Sequence, residues 1–395
     1  MSPWERVRRG AINVQVEAHL RSAVESGRRL RVKLGIDPSS PDIHLGHTVV
    51  LGKLRDFQEL GHTAVLIIGD FTARIGDPSG RSETRKQLEP EEVEANAATY
   101  LEQVFKVIDK DSTEVRRQSE WFGGMTVADM IRLAGKATLA QITQREDFSK
   151  RISAGHPVGI HELFYPLLQG YDSVAVRSDV ELGGTDQLFN LLFARDVQRE
   201  SGMEPQDILT TPLLEGLDGK QKMSKSLANY VGVTEAPLEM YGKLMSLPDE
   251  LITRTMRLAT ELPEAHIAEW DEKLKTGTNP RDAKAALART VITRFHSGHD
   301  AAAAEDAWRA QFQRGGIPEE IEERSIALGA LGATPVDALV ALGFASSRGA
   351  ARRLVEQRGT RLNGEVVEDP EAVYAPAHGD LWQVGKRRFV RLRAG

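Results

Sequence analysis

Two short apolar runs on either side of a helical segment constrain the fold of this chain more than any other feature. The runs are Arg31–Ile36 and Thr63–Ile68, and both contain the β-branched residues that strands favour. Between them, apolar residues recur at helical spacing from His47 to Leu60. Two strands joined by a helical crossover run parallel, and such sheets bind ligands beyond the carboxyl ends of their strands. The loops after Ile36 and Ile68 are therefore the first places to look for a functional site.

The rest of the chain divides into further segments. A third strand and helix meet at Gly183-Gly184, which follows the strand-like Val180 to Leu182. The β signals fade after about Leu227, and alanine-rich helical patterns follow. The sequence thus predicts an α/β protein with a Rossmann-like parallel-sheet domain at 1–226, an α-helical domain at 227–327, a linker at 328–335 and a small basic α+β domain at 336–395.

Composition excludes several classes of protein. The 395 residues include no cysteine, which removes disulfides, thiolate zinc sites and a cysteine nucleophile. The net charge is −6, yet the segment 336–395 holds 10 Lys and Arg against 7 Asp and Glu, which suits nucleic acid. No stretch is typical of a signal peptide or a membrane span, so we expect a cytoplasmic protein.

The loop after the first strand carries two histidines at the start of the next helix. It runs from Gly35 through Asp37 to His44-Leu45-Gly46-His47. Two histidines could hold a metal, but zinc takes three or four protein ligands and no third candidate lies at a telling spacing. A phosphate site is the better interpretation, because a helix start offers backbone N–H groups, glycine permits close approach and imidazoles donate hydrogen bonds.

A lysine-rich loop further along the chain contains the string Lys222-Met223-Ser224-Lys225-Ser226. Lysine-rich loops are usually solvated surface, and that interpretation would suit isolated lysines. The string KMSKS, however, arises by chance in a chain of this length only on the order of once in ten thousand sequences. Together with HLGH upstream, it favours a functional loop.

With these two elements the sequence resembles the class I aminoacyl-tRNA synthetases, and specifically the tyrosyl-tRNA synthetases of bacterial type. Other elements of that family follow in order: IGDPSG at 75–80, YPLLQGYD at 165–172 and GGTDQ at 183–187. The basic terminal unit is similar to a small RNA-binding fold first known from a ribosomal protein. The resemblance spans nearly the whole chain, and it implies a catalytic domain, a helical domain of the anticodon-binding type and a terminal RNA-binding domain.

The resemblance also implies a reaction, tyrosine–tRNA ligation, and roles for individual residues. Charge on the departing pyrophosphate would be stabilised by His44, His47, Lys222 and Lys225. ATP, which would bring Mg²⁺ with it, would contact Gly35, Asp37, Gly46, Gly183, Gly184, Asp186, Met223, Ser224 and Ser226. Tyrosine would be held by Asp77, Tyr165, Gln169, Asp172 and Gln187. The tRNA would contact Arg348, Arg352, Arg353, Lys386, Arg387 and Arg388. No protein-held metal is expected, and the family implies a homodimer.

The proposed tyrosine site has a regular spacing. Tyr165, Gln169 and Asp172 lie four and then three residues apart, so on one helix they share a face. Asp172 resembles the residue that accepts a hydrogen bond from the substrate phenol. Many family members place a tyrosine against the same hydroxyl, two residues before the glycine of the first loop. This chain has Lys33 there, so the hydroxyl is expected to meet Asp172 alone or water.

Three alternatives remain. A tryptophanyl-tRNA synthetase shares the fold and both signatures, but the YxxxQxxD pattern and the basic tail favour tyrosine. A free-standing adenylyl transferase fits HLGH but neither KMSKS nor the later domains. A non-catalytic RNA-binding protein derived from a synthetase would have no reason to keep both histidines and both lysines.

Overall fold

The structure is a computed structural model, which describes residues 2–38, 41–79, 88–312, 321–325, 333–385 and 388–393. The chain divides into two compact units, Met1–Ala301 and Ala302–Gly395, and each contains one sheet. Within the described ranges, no helix combines the length and the hydrophobicity that crossing a bilayer requires.

The first unit is built on a six-stranded sheet. Its strands are β1 (Asn13–Gln15), β2 (Arg31–Ile36), β3 (Thr63–Ile68), β4 (Thr113–Arg117), β5 (Val180–Gly184) and β6 (Asp207–Thr211). They lie in the order β1-β6-β5-β2-β3-β4, and every neighbouring pair is parallel except β1 with β6. The two strands predicted from the apolar runs are confirmed to the residue, and they pair parallel as their helical crossover requires.

Helices surround this sheet. They are α1 (Pro3–Arg8), α2 (Glu17–Glu25), α3 (Leu45–Glu59), α4 (Thr72–Ile75), α5 (Pro90–Val104), α6 (Ser119–Phe122), α7 (Val127–Ala134), α8 (Leu139–Ile142), α9 (Glu146–Ser153), α10 (Ile160–Ala175) and α11 (Leu188–Glu200). The helix predicted between the first two parallel strands is α3. Tyr165, Gln169 and Asp172 all lie on α10, as their spacing predicts.

Strand order determines where a ligand can enter. Strands β2 and β5 are neighbours in the sheet, although β3 and β4 separate them along the chain. Such a reversal of strand order opens a crevice at the carboxyl ends of the two strands. Gly35 and Asp37 lie at the end of β2, and Gly183 and Gly184 end β5. This edge of the sheet therefore collects residues that the sequence assigned to a nucleotide site.

A helical segment follows the lysine-rich loop, as the pattern after Leu227 predicts. It consists of α12 (Pro237–Met245), α13 (Ile252–Ala259), α14 (Glu264–Lys275), α15 (Pro280–Phe295) and α16 (Gly298–Phe312). The first four lie in the unit Met1–Ala301, and α16 contains the boundary between the two units. Residues 313–320 lie outside the described residues. The domain limits 1–226 and 227–327 stay predictions.

The second unit has a five-stranded sheet. Its strands are β7 (Glu322–Ser325), β8 (Thr360–Leu362), β9 (Glu365–Val366), β10 (Leu381–Val384) and β11 (Arg388–Arg393), in the order β7-β11-β10-β8-β9. The end of the segment predicted as helical is thus extended, because Glu322–Ser325 pairs with β11. Two helices, α17 (Pro335–Ala341) and α18 (Arg348–Glu356), pack against each other. Of the predicted linker 328–335, residues 328–332 lie outside the described residues.

The core of the second unit is centred on Trp382, which is fully buried. Its Nε1 donates to the hydroxyl of Tyr374 at 3.1 Å, and that hydroxyl donates to Asp380 Oδ2 at 2.6 Å. Around them lie the buried apolar side chains of α17, α18 and the sheet. The mixture of two helices and short strands is the small α+β architecture that the sequence predicts for 336–395.

Candidate active site

A cavity of about 240 Å³ lies at the carboxyl ends of β2, β3 and β5. Bare backbone forms part of its wall, since Gly35, Gly69 and Gly183 line it. A Cβ added at Gly35 would meet no protein atom within 4 Å, so this part of β2 leaves room for a flat group to lie against the strand. The polar side chains that line the cavity include Asp37, Asp77, Tyr165, Gln169, Asp172 and Gln187.

The first polar group of the cavity is the buried carboxylate of Asp172. Its Oδ2 accepts a hydrogen bond from Gln118 Nε2 at 2.8 Å, and its Oδ1 accepts one from Trp121 Nε1 at 3.1 Å. Burial raises the pKa of Asp172 to about 7, although the charge of Lys33 and both hydrogen bonds oppose that rise. A buried acceptor held in this way is suited to a hydroxyl that donates from the ligand.

A second carboxylate, Asp77, lies in a cluster of donors. Its Oδ1 accepts from Ser79 N at 2.9 Å, from Ser79 Oγ at 2.7 Å and from Arg145 Nη2 at 3.1 Å, while its Oδ2 accepts from Gln187 Nε2 at 2.8 Å. Burial acts to raise the pKa of Asp77, but the Arg145 guanidinium and these hydrogen bonds hold it below its ordinary value. Asp77 is therefore negatively charged at neutral pH, which suits a cationic ligand group.

Asp37 and Tyr165 connect the end of β2 with α10. The Tyr165 hydroxyl donates to Asp37 Oδ2 at 2.8 Å, and Thr72 Oγ1 donates to Asp37 Oδ1 at 2.6 Å. Burial and the nearby Asp37 charge raise the pKa of Tyr165 well above its ordinary value, so the hydroxyl keeps its proton. A Cβ on Gly69 would lie 2.1 Å from Asp37 Oδ1, so this close approach requires glycine.

The two histidines begin α3. Nδ1 of His44 accepts from Gly46 N at 3.2 Å, and Nδ1 of His47 accepts from His44 N at 3.2 Å. Burial, with the charge of Lys225 as a smaller cause, lowers the pKa of His44 to about 2 and that of His47 to about 4. Both rings are therefore neutral at neutral pH, and since each Nδ1 accepts, each Nε2 carries the proton. The pair offers two N–H donors beside a helix N-terminus.

The KMSKS loop lies beside these histidines. Leu45 N donates to Val231 O at 3.0 Å and Val233 N donates to Ile43 O at 3.0 Å, so the chain that follows the loop is paired with the HLGH segment. Asn229 supports the loop from within, since its Oδ1 accepts from Ser224 N at 2.7 Å. The two signature loops therefore belong to one site.

Both signature lysines form ion pairs. Lys222 Nζ lies 2.6 Å from Asp186 Oδ2, and Lys225 pairs with Asp42. Asp186 stands in a short 3-10 helix directly after β5, at the edge of the sheet that bears the cavity. Ser224 Oγ and Ser226 Oγ are 3.0 Å apart, and Met223 is buried. A polyphosphate bound here would attract both lysines, and each lysine would then leave its carboxylate.

Lys33 lies beneath the cavity wall. Its Nζ contacts the carbonyl oxygen of Gln169 at 3.0 Å, Ser173 Oγ at 2.8 Å and Glu181 Oε1 at 2.9 Å. Its side chain is fully buried, and the described residues that line the cavity do not include it. The side chain two residues before Gly35 therefore points toward α10 and not into the cavity.

The arginines predicted to bind tRNA all lie in the second unit. Arg348, Arg352 and Arg353 are exposed on α18, the first two paired with Asp337 and Glu371. Arg388 donates to the carbonyl oxygens of Phe344 and Gly343 at 3.0 and 3.1 Å. Lys386 and Arg387 lie outside the described residues.

Sequence reasoning missed several residues of the site, namely Gln118, Trp121, Arg145 and Asn229. Gln118 directly follows β4, and a residue at the carboxyl end of a parallel strand is a candidate for the site. Its Oε1 accepts from Phe71 N and Thr72 N, at 3.1 and 2.9 Å, so its amide nitrogen must face Asp172. Recognising β4 would have pointed to Gln118, whereas nothing in the local sequence marks Arg145.

No group of three or more His, Asp or Glu within the described residues is arranged to hold a metal ion.

The site lies in the crevice of a parallel sheet, where a helix begins at HLGH and the KMSKS loop lies beside it. That combination defines the catalytic domain of a class I aminoacyl-tRNA synthetase. The family model for "tRNA synthetases class I (W and Y)" matches residues 25–313, and the S4 domain model matches residues 334–373.

Curated relatives match the chain along its whole length. The tyrosine–tRNA ligase of Thermotoga maritima is 51% identical, over 100% of this chain and 99% of the relative. That of Moorella thermoacetica is 49% identical, over 98% of this chain and 94% of the relative. The chain belongs to the tyrosine–tRNA ligase family.

Solved structures share the fold. The tyrosyl-tRNA synthetase of Archaeoglobus fulgidus, crystallised with L-tyrosine, has a TM-score of 0.63 at 26% identity, covering 76% of this chain and 98% of that one. The tryptophanyl-tRNA synthetase of Plasmodium falciparum has a TM-score of 0.57 at 16% identity, covering 74% of this chain and 81% of that one. The second likeness concerns the fold alone.

Proposed function

We propose that this protein joins tyrosine to tRNA in two steps. It activates L-tyrosine with ATP to tyrosyl-adenylate and pyrophosphate, and it then transfers the tyrosyl group to the 3′ end of tRNA(Tyr). The observation that carries the choice of substrate is the buried carboxylate of Asp172 in the cavity, with Gln118 and Trp121 holding it. A phenol hydroxyl donates a further hydrogen bond to this acceptor, whereas phenylalanine offers no donor and leaves the carboxylate with the bonds from Gln118 and Trp121 alone. The names of the full-length relatives support tyrosine over tryptophan.

The other polar groups of the cavity fit the rest of an amino acid. Asp77 is negatively charged and attracts the α-ammonium group, and Tyr165 and Gln169 line the same cavity. The Gln187 amide donates to Asp77. When tyrosine binds, this amide breaks that hydrogen bond and donates to the substrate carboxylate instead. The backbone at Gly35, Gly183 and Gly184 leaves room for adenosine, and Asp186 accepts from the ribose hydroxyls.

Activation needs no protein nucleophile, because the tyrosine carboxylate itself attacks the α-phosphorus of ATP. The protein positions the two substrates and stabilises the charge that develops on the departing pyrophosphate. The neutral imidazoles of His44 and His47 donate from Nε2, while Lys222 and Lys225 supply positive charge. Mg²⁺ enters with ATP as part of that substrate, and the proposed place of action is the cytoplasm, where tRNA is charged.

The ion pairs of the KMSKS loop give that loop a defined task. Lys222 leaves Asp186 and Lys225 leaves Asp42 when the more highly charged polyphosphate arrives, since each lysine exchanges one negative charge for several. Asp186, once released, is free to accept from the ribose. Binding of ATP and arrangement of the catalytic lysines are thereby coupled.

For the second step, the proposed RNA surfaces are the helical segment 227–327 and the basic unit 336–395. Deletion of residues 336–395 is expected to leave tyrosine-dependent pyrophosphate exchange within about twofold of the full chain. Affinity for tRNA, measured by filter binding at about 0.15 M salt, is expected to fall at least about tenfold, with a shallower dependence on salt. Charging of tRNA with labelled tyrosine falls accordingly.

A full-length variant in which Arg352 and Arg353 are both alanine is the milder control, because both side chains are exposed on α18. It should weaken tRNA binding by a smaller factor and leave tyrosine activation intact. If deletion of the unit and this double substitution reduce activation and tRNA binding to the same extent, the terminal unit has a structural task rather than an RNA-binding one.

We also propose a homodimer. Large apolar side chains are exposed on neighbouring helices of the first unit: Val127 and Ile131 on α7 are 78% and 67% exposed, and Ile160 on α10 is 76% exposed. Since α7 packs against α10, we propose that these side chains belong to one apolar area of the kind that homodimers bury. Sedimentation equilibrium is expected to give twice the chain mass, and the double variant Val127→Lys/Ile131→Lys is expected to give the monomer mass. A wild-type monomer would contradict this proposal.

A further inference from the structure

A buried ion pair lies directly beneath the proposed amino-acid site. Lys33 of β2 and Glu181 of β5 are register partners on neighbouring parallel strands, so their side chains project from the same face of the sheet. Both are buried, with 0% and 1% of the side chain exposed, and their charged atoms are 2.9 Å apart. A buried pair is weak support for stability by itself. Its placement under the site calls for another explanation.

Among the described residues, every hydrogen-bonding partner of Glu181 is a donor. Its Oε1 meets Lys33 Nζ and accepts from Gln169 Nε2 at 3.3 Å, while its Oε2 accepts from Ser173 Oγ at 3.2 Å and from Gln206 Nε2. A charged carboxylate paired with lysine accepts hydrogen bonds and donates none. The amide nitrogen of Gln169, and not its oxygen, must therefore face Glu181.

The orientation of this amide leaves one atom unsatisfied. Gln169 Oε1 is buried, and no described residue donates a hydrogen bond to it. Buried acceptors without a donor are rare in native proteins, and an exception asks for a reason. Gln169 lines the cavity together with the charged Asp77 and Tyr165. A cationic N–H group of a ligand would supply the missing donor.

We infer that Glu181, held by Lys33, is a positioning residue that fixes the Gln169 amide with its oxygen presented to the α-ammonium group of the amino-acid substrate. This inference rests on the proposed function, because it takes tyrosine as the ligand. Lys33 contributes twice: it neutralises Glu181, and it donates to the Gln169 carbonyl oxygen and to Ser173 Oγ, which holds α10 against the sheet. Neither Lys33 nor Glu181 lines the cavity, so the pair acts through Gln169 and does not touch the substrate.

The test compares two ligands that differ only in the α-ammonium group: L-tyrosine and 3-(4-hydroxyphenyl)propionate, which lacks it. Equilibrium dialysis gives the dissociation constant of each for the full chain and for Lys33→Met/Glu181→Gln, in which the glutamine side chain can present either edge to Gln169. The preference for tyrosine is expected to fall about tenfold, because a charge-assisted hydrogen bond is lost or weakened. Affinity for the propionate is expected to change little.

A second step shows whether the effect passes through Gln169. In a Gln169→Ala background, the Lys33→Met/Glu181→Gln change is expected to have no further effect on the preference for tyrosine. The effects of two substitutions do not add when one residue acts through the other. The matched control is Arg151→Met/Glu162→Gln, which removes a different buried ion pair. Its Glu162 lies on α10, the helix that carries Gln169. It should lower the melting temperature and leave the preference unchanged.

Two results would overturn the inference: equal weakening of both ligands, or an undiminished preference for tyrosine. If the double variant fails to fold, Glu181→Asp replaces it, because it keeps the charge for Lys33 and withdraws the carboxylate from Gln169, and the same ratio decides. If the unmodified protein shows no preference for tyrosine, the proposed function fails instead, so the two failures are distinguishable.

Discussion

Replacing Lys225 by alanine is expected to slow the formation of tyrosyl-adenylate by a factor of about 10²–10³. Lys225 lies close enough to His44 and His47 that its charge helps to lower the pKa of both. Its proposed role is to stabilise the negative charge that develops on pyrophosphate as this group departs. Loss of such a stabilising group raises the activation barrier for adenylate formation by about 2.7–4 kcal/mol. Single-turnover measurement of the pyrophosphate burst, with tyrosine and ATP saturating, gives this rate directly.

The matched control for this variant is Lys220→Ala. Lys220 stands two residues before the KMSKS string and is exposed to solvent, so it shares the charge and the neighbourhood but not the proposed task. Its burst rate is expected to stay within about twofold of the unmodified protein. Equal rates for both variants would remove Lys225 from the proposed mechanism.

Replacing Asp172 by alanine is expected to reduce the preference for tyrosine over phenylalanine by a factor of about 10–100. The phenol then loses a charge-assisted hydrogen bond of about 1.5–3 kcal/mol. The total preference of roughly 10⁵ that is known for a tyrosyl-tRNA synthetase belongs to a whole site, of which this bond is one part. The ratio of kcat/KM for the two amino acids in pyrophosphate exchange measures the effect. Asp207→Asn, which alters another buried carboxylate that accepts from His19, should keep the ratio.

The carboxyl group of Asp172 also predicts how affinity for tyrosine changes with pH. Burial raises the pKa of Asp172 to about 7, so below that pH the group binds a proton and becomes a poorer acceptor for the phenol. Affinity for tyrosine should therefore fall as the pH drops below about 7, by up to tenfold per pH unit, and level off above it. His44 and His47, with pKa values of about 2 and about 4, do not titrate there. The Asp172→Asn variant should lack this slope, and an equal slope would assign it to another group.

The strands that the sequence predicted are more deeply buried than β4, which it missed. Strand β3 is buried along its whole length, and β2 contains three buried residues in its centre, so both read as apolar runs. Strand β4 lies at the edge of the sheet, and its residues, which include Glu114, Arg116 and Arg117, are all only partly buried. Since an edge strand need not be apolar, no local signal marked it.

The same distinction applies to the site. HLGH, KMSKS and the α10 residues are short continuous patterns, and the sequence placed them in the catalytic domain. The contacts that orient them join distant segments: Gln118 reaches Asp172 across 54 residues and Arg145 reaches Asp77 across 68. Such contacts depend on how elements pack, which short-range spacing does not encode.

Lys33 illustrates the limit most clearly. A lysine in the middle of an apolar strand suggests either a direct contact with the substrate or a side chain turned away from it. The alternation along β2 places it on the face toward α10, but only the register with β5 reveals Glu181 as its partner. An ion pair between two strands that lie far apart along the chain is a property of the sheet and not of either strand.

The claim that this cavity activates tyrosine is tested most directly by exchange of labelled pyrophosphate into ATP, with each of the twenty amino acids in turn and without tRNA. Exchange with tyrosine alone is the predicted result, because its phenol donates to Asp172 while its α-amino and carboxylate groups meet Asp77 and Gln187. Exchange supported by tryptophan instead of tyrosine, or by no amino acid, would contradict the claim.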